Sequence, residues 1–143
     1  MKTIEVAEAI LINNEGEILL QLRDNKDSIW GGGNWGLIGG GKKKNESFSE
    51  CIIREIKEEI GISIDNLELL DIVDDKENDT LFRHQIFFGV ININSCDIEL
   101  KEGEEINFFT IDGIRDISTV PWFHNVYTDS IKKLKALKKS NNI

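Results

Sequence analysis

An apolar-rich run from Thr3 to Ile12 gives way to Asn13-Asn14-Glu15-Gly16 and resumes from Glu17 to Arg23. Two such runs around an Asn/Gly turn predict a β-hairpin. Asp24 to Asn34, which contains Gly31, Gly32 and Gly33, predicts a loop, and Trp35 to Ile38 a short strand. Leu67–Val73 and Leu81–Ile93 predict two more strands, split by the polar run DDKENDT. The charged stretch DIELKEGEE is a loop, and Asn107–Ile111 a last short strand. The period changes in two places. Phe48, Cys51, Ile52 and Ile56 recur at helical spacing, Ser47 and Glu50 form a capping box ahead of them, and Gly61 is a natural stop. Phe123–Lys139 repeats that spacing with Val126, Ile131, Leu134 and Leu137, just after Pro121. There are no internal repeats or linkers. Strands interleaved with two helices imply an α/β/α sandwich around a mixed β-sheet, a single domain over residues 1–143.

Composition narrows the class without changing that picture. At 143 residues, 40% hydrophobic and 30% charged, the chain suits one globular core. No apolar run is long enough to span a membrane, and Glu5 and Glu8 interrupt the N-terminal apolar stretch, so neither a membrane anchor nor a signal peptide is expected. Cys51 and Cys96 are far apart, and neither has zinc-like spacing with His84 or His124; two free thiols of a reducing cytoplasm are expected. A net charge of −9 argues against a nucleic-acid polymer as partner. A small phosphorylated substrate is still compatible, because metal ions bridge carboxylates to phosphates. Positive charge clusters at Lys42-Lys43-Lys44 and at Lys132, Lys133, Lys135, Lys138 and Lys139. The second cluster reads as a solvated helix face; the first reads equally as solvated or as a diphosphate contact.

The candidate chemistry sits between Gly40 and Ile62, GGKKKNESFSECIIREIKEEIGI. Glu55, Glu58 and Glu59 lie at i, i+3 and i+4, so they share one helix face. Like charges that close call for a counter-charge, which a hard divalent cation with oxygen ligands supplies. Glu46 precedes the helix and reaches this region only through the loop. Arg54, adjacent to Glu55 in sequence, is expected to point elsewhere on the helix. The glycine loop at Gly39–Gly41 allows a ligand to approach the backbone closely.

Gly40, five residues, Glu46, seven residues, Arg54-Glu55-Ile56, Glu58-Glu59, Gly61 and Ile62 fill every defined position of GX5EX7REUXEEXGU, and the segment resembles the Nudix box. LLQLRDNKDSIWGGGNWGLIGGG resembles the family's segment before the box, a strand ending in arginine (Arg23) followed by a loop and an aromatic residue, and EGEEINFFTID its late acidic loop and strand. Ile4 to Ile111 can be laid onto the family, but only the box is highly specific. Ile38 stands where a proline is usual, Asn45 where a glycine is usual, and Lys43 where an apolar residue is usual. The resemblance implies the same sandwich fold and hydrolysis of a nucleoside diphosphate linked to a further moiety X. It implies Mg²⁺ or Mn²⁺ on Glu55, Glu58 and Glu59, and an Arg54 that orients a box glutamate by a salt bridge. Many members are dimers, so a homodimer is among the assemblies it allows.

A metal-activated water needs a general base within hydrogen-bond reach. Glu55 is the candidate in the box; Glu102, Glu104 and Glu105 are those in the later loop, with Glu102 ranked first for its spacing ahead of Phe108. Gly40, Lys42 and Arg23 are candidates on the diphosphate side. Among aromatics able to stack on a base, Trp30, Trp35, Phe82, Trp122 and Phe123, the last pair ranks first. Between Ile62 and Val120 there is neither the proline typical of ADP-ribose hydrolases nor the tyrosine typical of dinucleoside polyphosphate hydrolases. A nucleoside triphosphate is therefore the leading substrate, with a nucleotide sugar or ADP-ribose behind it. A nucleotide-sensing module would be expected to have lost box glutamates, and an isopentenyl-diphosphate isomerase would need a catalytic cysteine where Cys51 instead faces the core.

Overall fold

A computed structural model describes the backbone of residues 1–140 and the side chains of residues 1–136. Of the expected C-terminal helix face, Leu137, Lys138 and Lys139 fall outside the described side chains. The elements are β1 (Lys2–Ile12), β2 (Ile18–Leu22), β3 (Trp35–Gly36), β4 (Ile38–Gly41), α1 (Phe48–Ile60), β5 (Glu68–Glu77), β6 (Thr80–Val90), β7 (Glu105–Phe109) and α2 (Phe123–Ser140), with single 3₁₀ turns at Ser95–Asp97 and Gly113–Asp116. The strands form one mixed sheet in the order β3-β2-β1-β6-β5, with β4 added to β1 and β7 to β2.

Residue parity along β1 and β6 builds two cores, because successive side chains of a strand point to opposite faces. Ala7, Ala9, Leu11 and Phe87 meet Cys51, Ile52, Ile56 and Ile60 of α1. Ile10, Ile12 and Ile86 meet Val126, Tyr127, Ile131 and Leu134 of α2. The sheet is thus held between two helices, the expected α/β/α sandwich. Helix α1 begins as expected: the Ser47 hydroxyl accepts from the Glu50 amide while the Glu50 carboxylate accepts from the Ser47 amide. It ends at Gly61, left-handed at φ 71°.

Three strand expectations are corrected. Trp35–Ile38 is not one strand: β3 stops at Gly36, and β4 runs through the glycines, pairing with β1 from Val6↔Gly41 to Ala9↔Ile38. The hairpin of β1 with β2 touches only at Ile12↔Ile18, because β4 and β6 occupy the edges of β1; β2 pairs instead with β7, from Ile18↔Phe109 to Leu22↔Glu105. That pairing moves β7 to Glu105–Phe109, earlier than expected. DDKENDT is mostly strand, with Asn78-Asp79 alone making the turn and Asn78 at φ 55°. Asp74 stands opposite Arg83 and accepts two hydrogen bonds from it, at 3.0 and 3.1 Å, so a polar sequence pairs across the hairpin.

The β1–β4 contact depends on a missing side chain. A Cβ at Gly39 would lie 2.2 Å from the Ala7 carbonyl oxygen, whereas one at Gly41 would meet nothing within 4 Å. Gly39→Ala should therefore destabilise the fold by about 2 kcal/mol or more, and Gly41→Ala by less than about 0.5 kcal/mol. Denaturant melts of the two variants check this; equal stabilities would refute the close approach.

Candidate active site

The chemistry gathers where α1 crosses the β4 glycines. Arg54 does not point away from its neighbour. Its long side chain sweeps back over the helix start, donating to both Glu46 oxygens (2.6 and 3.0 Å), to Glu55 (2.9 Å), to Glu58 (3.1 Å) and to the Gly41 carbonyl (3.1 Å). A planar guanidinium has enough fixed donors to serve several acceptors at once. The Arg54 hydrogen bonds, with one from the Lys43 amide, hold the Glu46 carboxyl down at about 2. Glu46 therefore anchors the arginine.

The helix face splits in a way that spacing alone did not show. Glu59 is buried and accepts from the Gly39 amide at 3.1 Å. Glu55 lies against Gly40, where an added Cβ would come within 2.7 Å of its carboxylate. Glu58 is turned toward solvent and Arg54. Glu102 joins two of them at the cavity: Glu55, Glu59 and Glu102 line one space of about 520 Å³ with Gln21, Arg23, Asp24 and Lys101. The loop carrying Glu102 is tied down at its backbone. The Lys101 amide donates to the Glu59 carbonyl at 2.8 Å, and buried Gln21 donates to the Glu102 carbonyl at 2.8 Å. Glu104 accepts from the Asn25 amide at 3.1 Å, and Glu105 is exposed on β7, so neither shares that space.

Burial, and then the charges of Glu55 and Glu102, push the Glu59 carboxyl up to about 9. Burial raises Glu55 as well, against the lowering by Arg54. Burial also raises the Cys51 thiol to about 12, which makes it an inert core group. Among the described residues no three Asp, Glu, His or Cys side chains stand together as a ready metal cage. The donor set nonetheless suits a hard cation: oxygen ligands only, crowded in a partly dry site, with one carboxyl holding a proton that a cation would displace.

A second cavity of about 530 Å³ opens on the α2 side of the same glycines. The two cavities share Arg23, Gly39 and Gly40. Arg23 donates to the Trp30 carbonyl at 2.6 Å and lies 6.0 Å from the Trp122 ring. Trp122 and Phe82 are in the second cavity wall, as is Trp30, which meets Phe82 edge-on at 4.9 Å. Phe123 is corrected: only 2% exposed, it packs edge-on against Tyr127 in the core and lines neither cavity. Trp35 likewise packs on Phe109, at 4.9 Å. Lys42 lines neither cavity; its ammonium is 3.4 Å from Glu5 and lies over the Phe48 ring. Sequence reasoning missed Glu8 and His84, which are buried, 2.6 Å apart and in the wall of the second cavity. The available signal was an acid at an even position of β1, in line with core residues Ile10 and Ile12.

Comparison with known proteins decides the family, since the NUDIX domain pattern matches residues 2–129. The chain belongs to the Nudix family. A prenyl-diphosphate phosphatase of Methanosarcina mazei is 30% identical over 109 residues, covering 74% of this chain and 63% of the relative. An 8-oxo-dGTP diphosphatase of Proteus vulgaris is 31% identical over 72 residues, covering 50% and 62%. The crystal structure of a MutT protein from Methanosarcina mazei Go1 superposes with a TM-score of 0.79 at 25% identity, covering 96% of each chain. The chain spans 26% to 63% of the length of the curated relatives it matches. Nudix hydrolases generally use divalent metals, and among the described residues no helix is long and apolar enough to cross a membrane.

The Glu59 carboxyl gives a stability signature. Its ordinary value of 4.5 applies to the unfolded chain, and about 9 to the fold. The native state keeps a proton that the unfolded chain gives up, so this contribution is complete below pH 4.5 and is lost as pH rises toward 9. With chelator present, the melting temperature should fall more steeply from about pH 5 to about pH 8 for the wild type than for Glu59→Gln. Parallel curves would mean that Glu59 is ionised throughout.

Proposed function

We propose that this Nudix chain is a metal-dependent hydrolase that cleaves the diphosphate link of a nucleoside diphosphate-X compound, with a nucleoside triphosphate as the leading substrate. The observation that carries this reading is the meeting of two unlike cavities at Gly39, Gly40 and Arg23, one holding Glu55, Glu59 and Glu102, the other lined by Trp30, Phe82 and Trp122 with Glu8, His84 and the polar residues Asp75, Glu77 and Asn78. The diphosphate belongs over the glycines, where no side chain obstructs the backbone and Arg23 supplies positive charge from the joint.

Glu55, Glu58 and Glu59 would hold Mg²⁺ or Mn²⁺, which neutralises phosphoryl charge and makes bound water more acidic. Engaging Glu58 costs its hydrogen bond to Arg54. Arg54 is the positioning residue: anchored on Glu46, it fixes where Glu55 presents its carboxylate. Glu102 is the general base. Its backbone is fixed on both sides while its side chain faces Glu55 and Glu59, and Glu104 is engaged elsewhere. Glu55 is the rival base, since burial raises its proton affinity. The substrate is a small nucleotide, and the two unpaired cysteines fit a reducing cytoplasm.

Purified protein should release phosphate or diphosphate from at least one nucleotide in a panel of nucleoside triphosphates, nucleotide sugars and ADP-ribose. Excess chelator should abolish this and Mg²⁺ restore it. Full turnover without metal would overturn the mechanism, and tight nucleotide binding with no turnover would instead make the chain a sensing module.

Glu102→Gln should lower kcat roughly a hundredfold or more while metal affinity by calorimetry stays within about twofold. Should Glu102→Gln keep wild-type kcat while Glu55→Gln loses it with metal still bound, Glu55 is the base.

A further inference from the structure

We propose that the buried Glu8–His84 pair reads the hydrogen-bonding edge of a planar heterocycle, a nucleobase, in the second cavity, and so selects nucleotides over isoprenoid diphosphates. This deepens the reading above and rests on it for the placement of the diphosphate.

The pair is placed by strand register. Glu8 on β1 and His84 on β6 both point to the α2 face, where β1 and β6 run parallel with Val6 opposite His84. Each is 4% exposed, and His84 Nδ1 lies 2.6 Å from Glu8 Oε1. The imidazole is edge-on to Tyr127, and the Tyr127 hydroxyl accepts from the Trp122 indole at 2.8 Å. The pair is therefore clamped by groups that themselves line the cavity.

Two polar atoms of the pair remain. Among the described residues Glu8 Oε2 and His84 Nε2 have no hydrogen-bond partner in the protein, yet no buried side-chain nitrogen or oxygen there is left without one. Both atoms therefore keep an opening onto the cavity whose wall they share. A net charge on two groups each only 4% exposed is expensive, so we take the pair as neutral overall. Two arrangements satisfy this: carboxylate with imidazolium, or carboxylic acid with imidazole. In both, the proton between Oε1 and Nδ1 is shared, Oε2 accepts and Nε2–H donates. The edge offered to a ligand is the same acceptor-plus-donor edge wherever the shared proton sits.

Such an edge matches a ring with an adjacent donor and acceptor, an amide or amino-imine edge, flanked here by Trp30, Phe82 and Trp122 for stacking. An alkyl chain would cover the same two atoms and pair with neither, which costs the desolvation of both. That distinction bears on the chain's relatives, one named for a nucleotide and another for a prenyl diphosphate.

Binding of monophosphates tests the idea without depending on hydrolysis. Calorimetry of wild-type protein with AMP, GMP, CMP, UMP, ribose 5-phosphate and geranyl phosphate should show at least one nucleotide binding about tenfold or more tightly than the last two. Glu8→Leu/His84→Phe should remove that advantage while leaving ribose 5-phosphate unchanged. A wild type that binds geranyl phosphate or ribose 5-phosphate as tightly as every nucleotide overturns the proposal, whether or not the variant folds. A folded variant with undiminished nucleotide preference overturns it as well. If the protein binds nucleotides selectively through this pair but hydrolyses none, the enzymatic reading fails and this one stands.

Discussion

Everything at the candidate site depends on keeping several carboxylates together against their mutual repulsion. Glu46, Glu55, Glu58, Glu59 and Glu102 converge on the end of one helix, and the compensation is local and unequal. Arg54 serves the first three with five hydrogen bonds counting the Gly41 carbonyl. Glu59, out of its reach, has the Gly39 amide and a retained proton in place of a cation. Glu46, held at about 2, remains charged and grips the arginine, while Glu59, at about 9, is neutral near pH 7. The site thus holds carboxyl groups pushed in opposite directions, Glu46 down by its hydrogen bonds to Arg54 and Glu59 up by burial.

Such crowding requires the backbone to come close. Gly39 lies against the Ala7 carbonyl, and Gly40 against the Glu55 carboxylate, at distances that leave no room for a Cβ. The box glycine therefore acts as a spacing element. By giving up a side chain it lets β4 pair with β1 and lets α1 lay its acids over the strand. The same absence leaves the junction of the two cavities open, so the packing that builds the core also clears the site.

What the sequence revealed was set by the range of the interactions involved. Local physics was readable: Ser47 and Glu50 cap α1, Gly61 ends it, and the i, i+3, i+4 spacing gathers Glu55, Glu58 and Glu59 toward one side. Which of them faces the cavity was not readable, because Arg54, one residue from Glu55, binds Glu58 one turn further along the helix on its solvent side. Glu102 could be ranked from its spacing, but the reason it differs from Glu104 is a contact to Asn25 far away in the chain. Phe123 looked like a base contact beside Trp122; helix geometry turns one into the core and the other to the cavity. The acidic stretch DDKENDT looked like a loop because its charges hide a register in which Asp74 meets Arg83. Glu8 served at first only as a charge that breaks an apolar run. Its meaning needed the parallel partner strand that brings His84 to it.

An acidic protein proposed to bind a polyanion has to separate the parts of its ligand. Here the separation follows from sheet geometry. Residues of one parity on β1 and β6 face α1, and the carboxylates gather where that helix meets β4. Residues of the other parity face α2, where Ile4, Val6, Phe82 and the Glu8–His84 pair share a recess with Arg23, Asp75, Glu77, Asn78 and Thr80. Arg23 and the glycines join the two. Away from that joint, substitutions in the recess leave the acids untouched, because the sheet itself stands between them. Under the proposed function the reaction class and the substrate are therefore separable properties of this chain. This explains why the box could speak for one and was silent on the other.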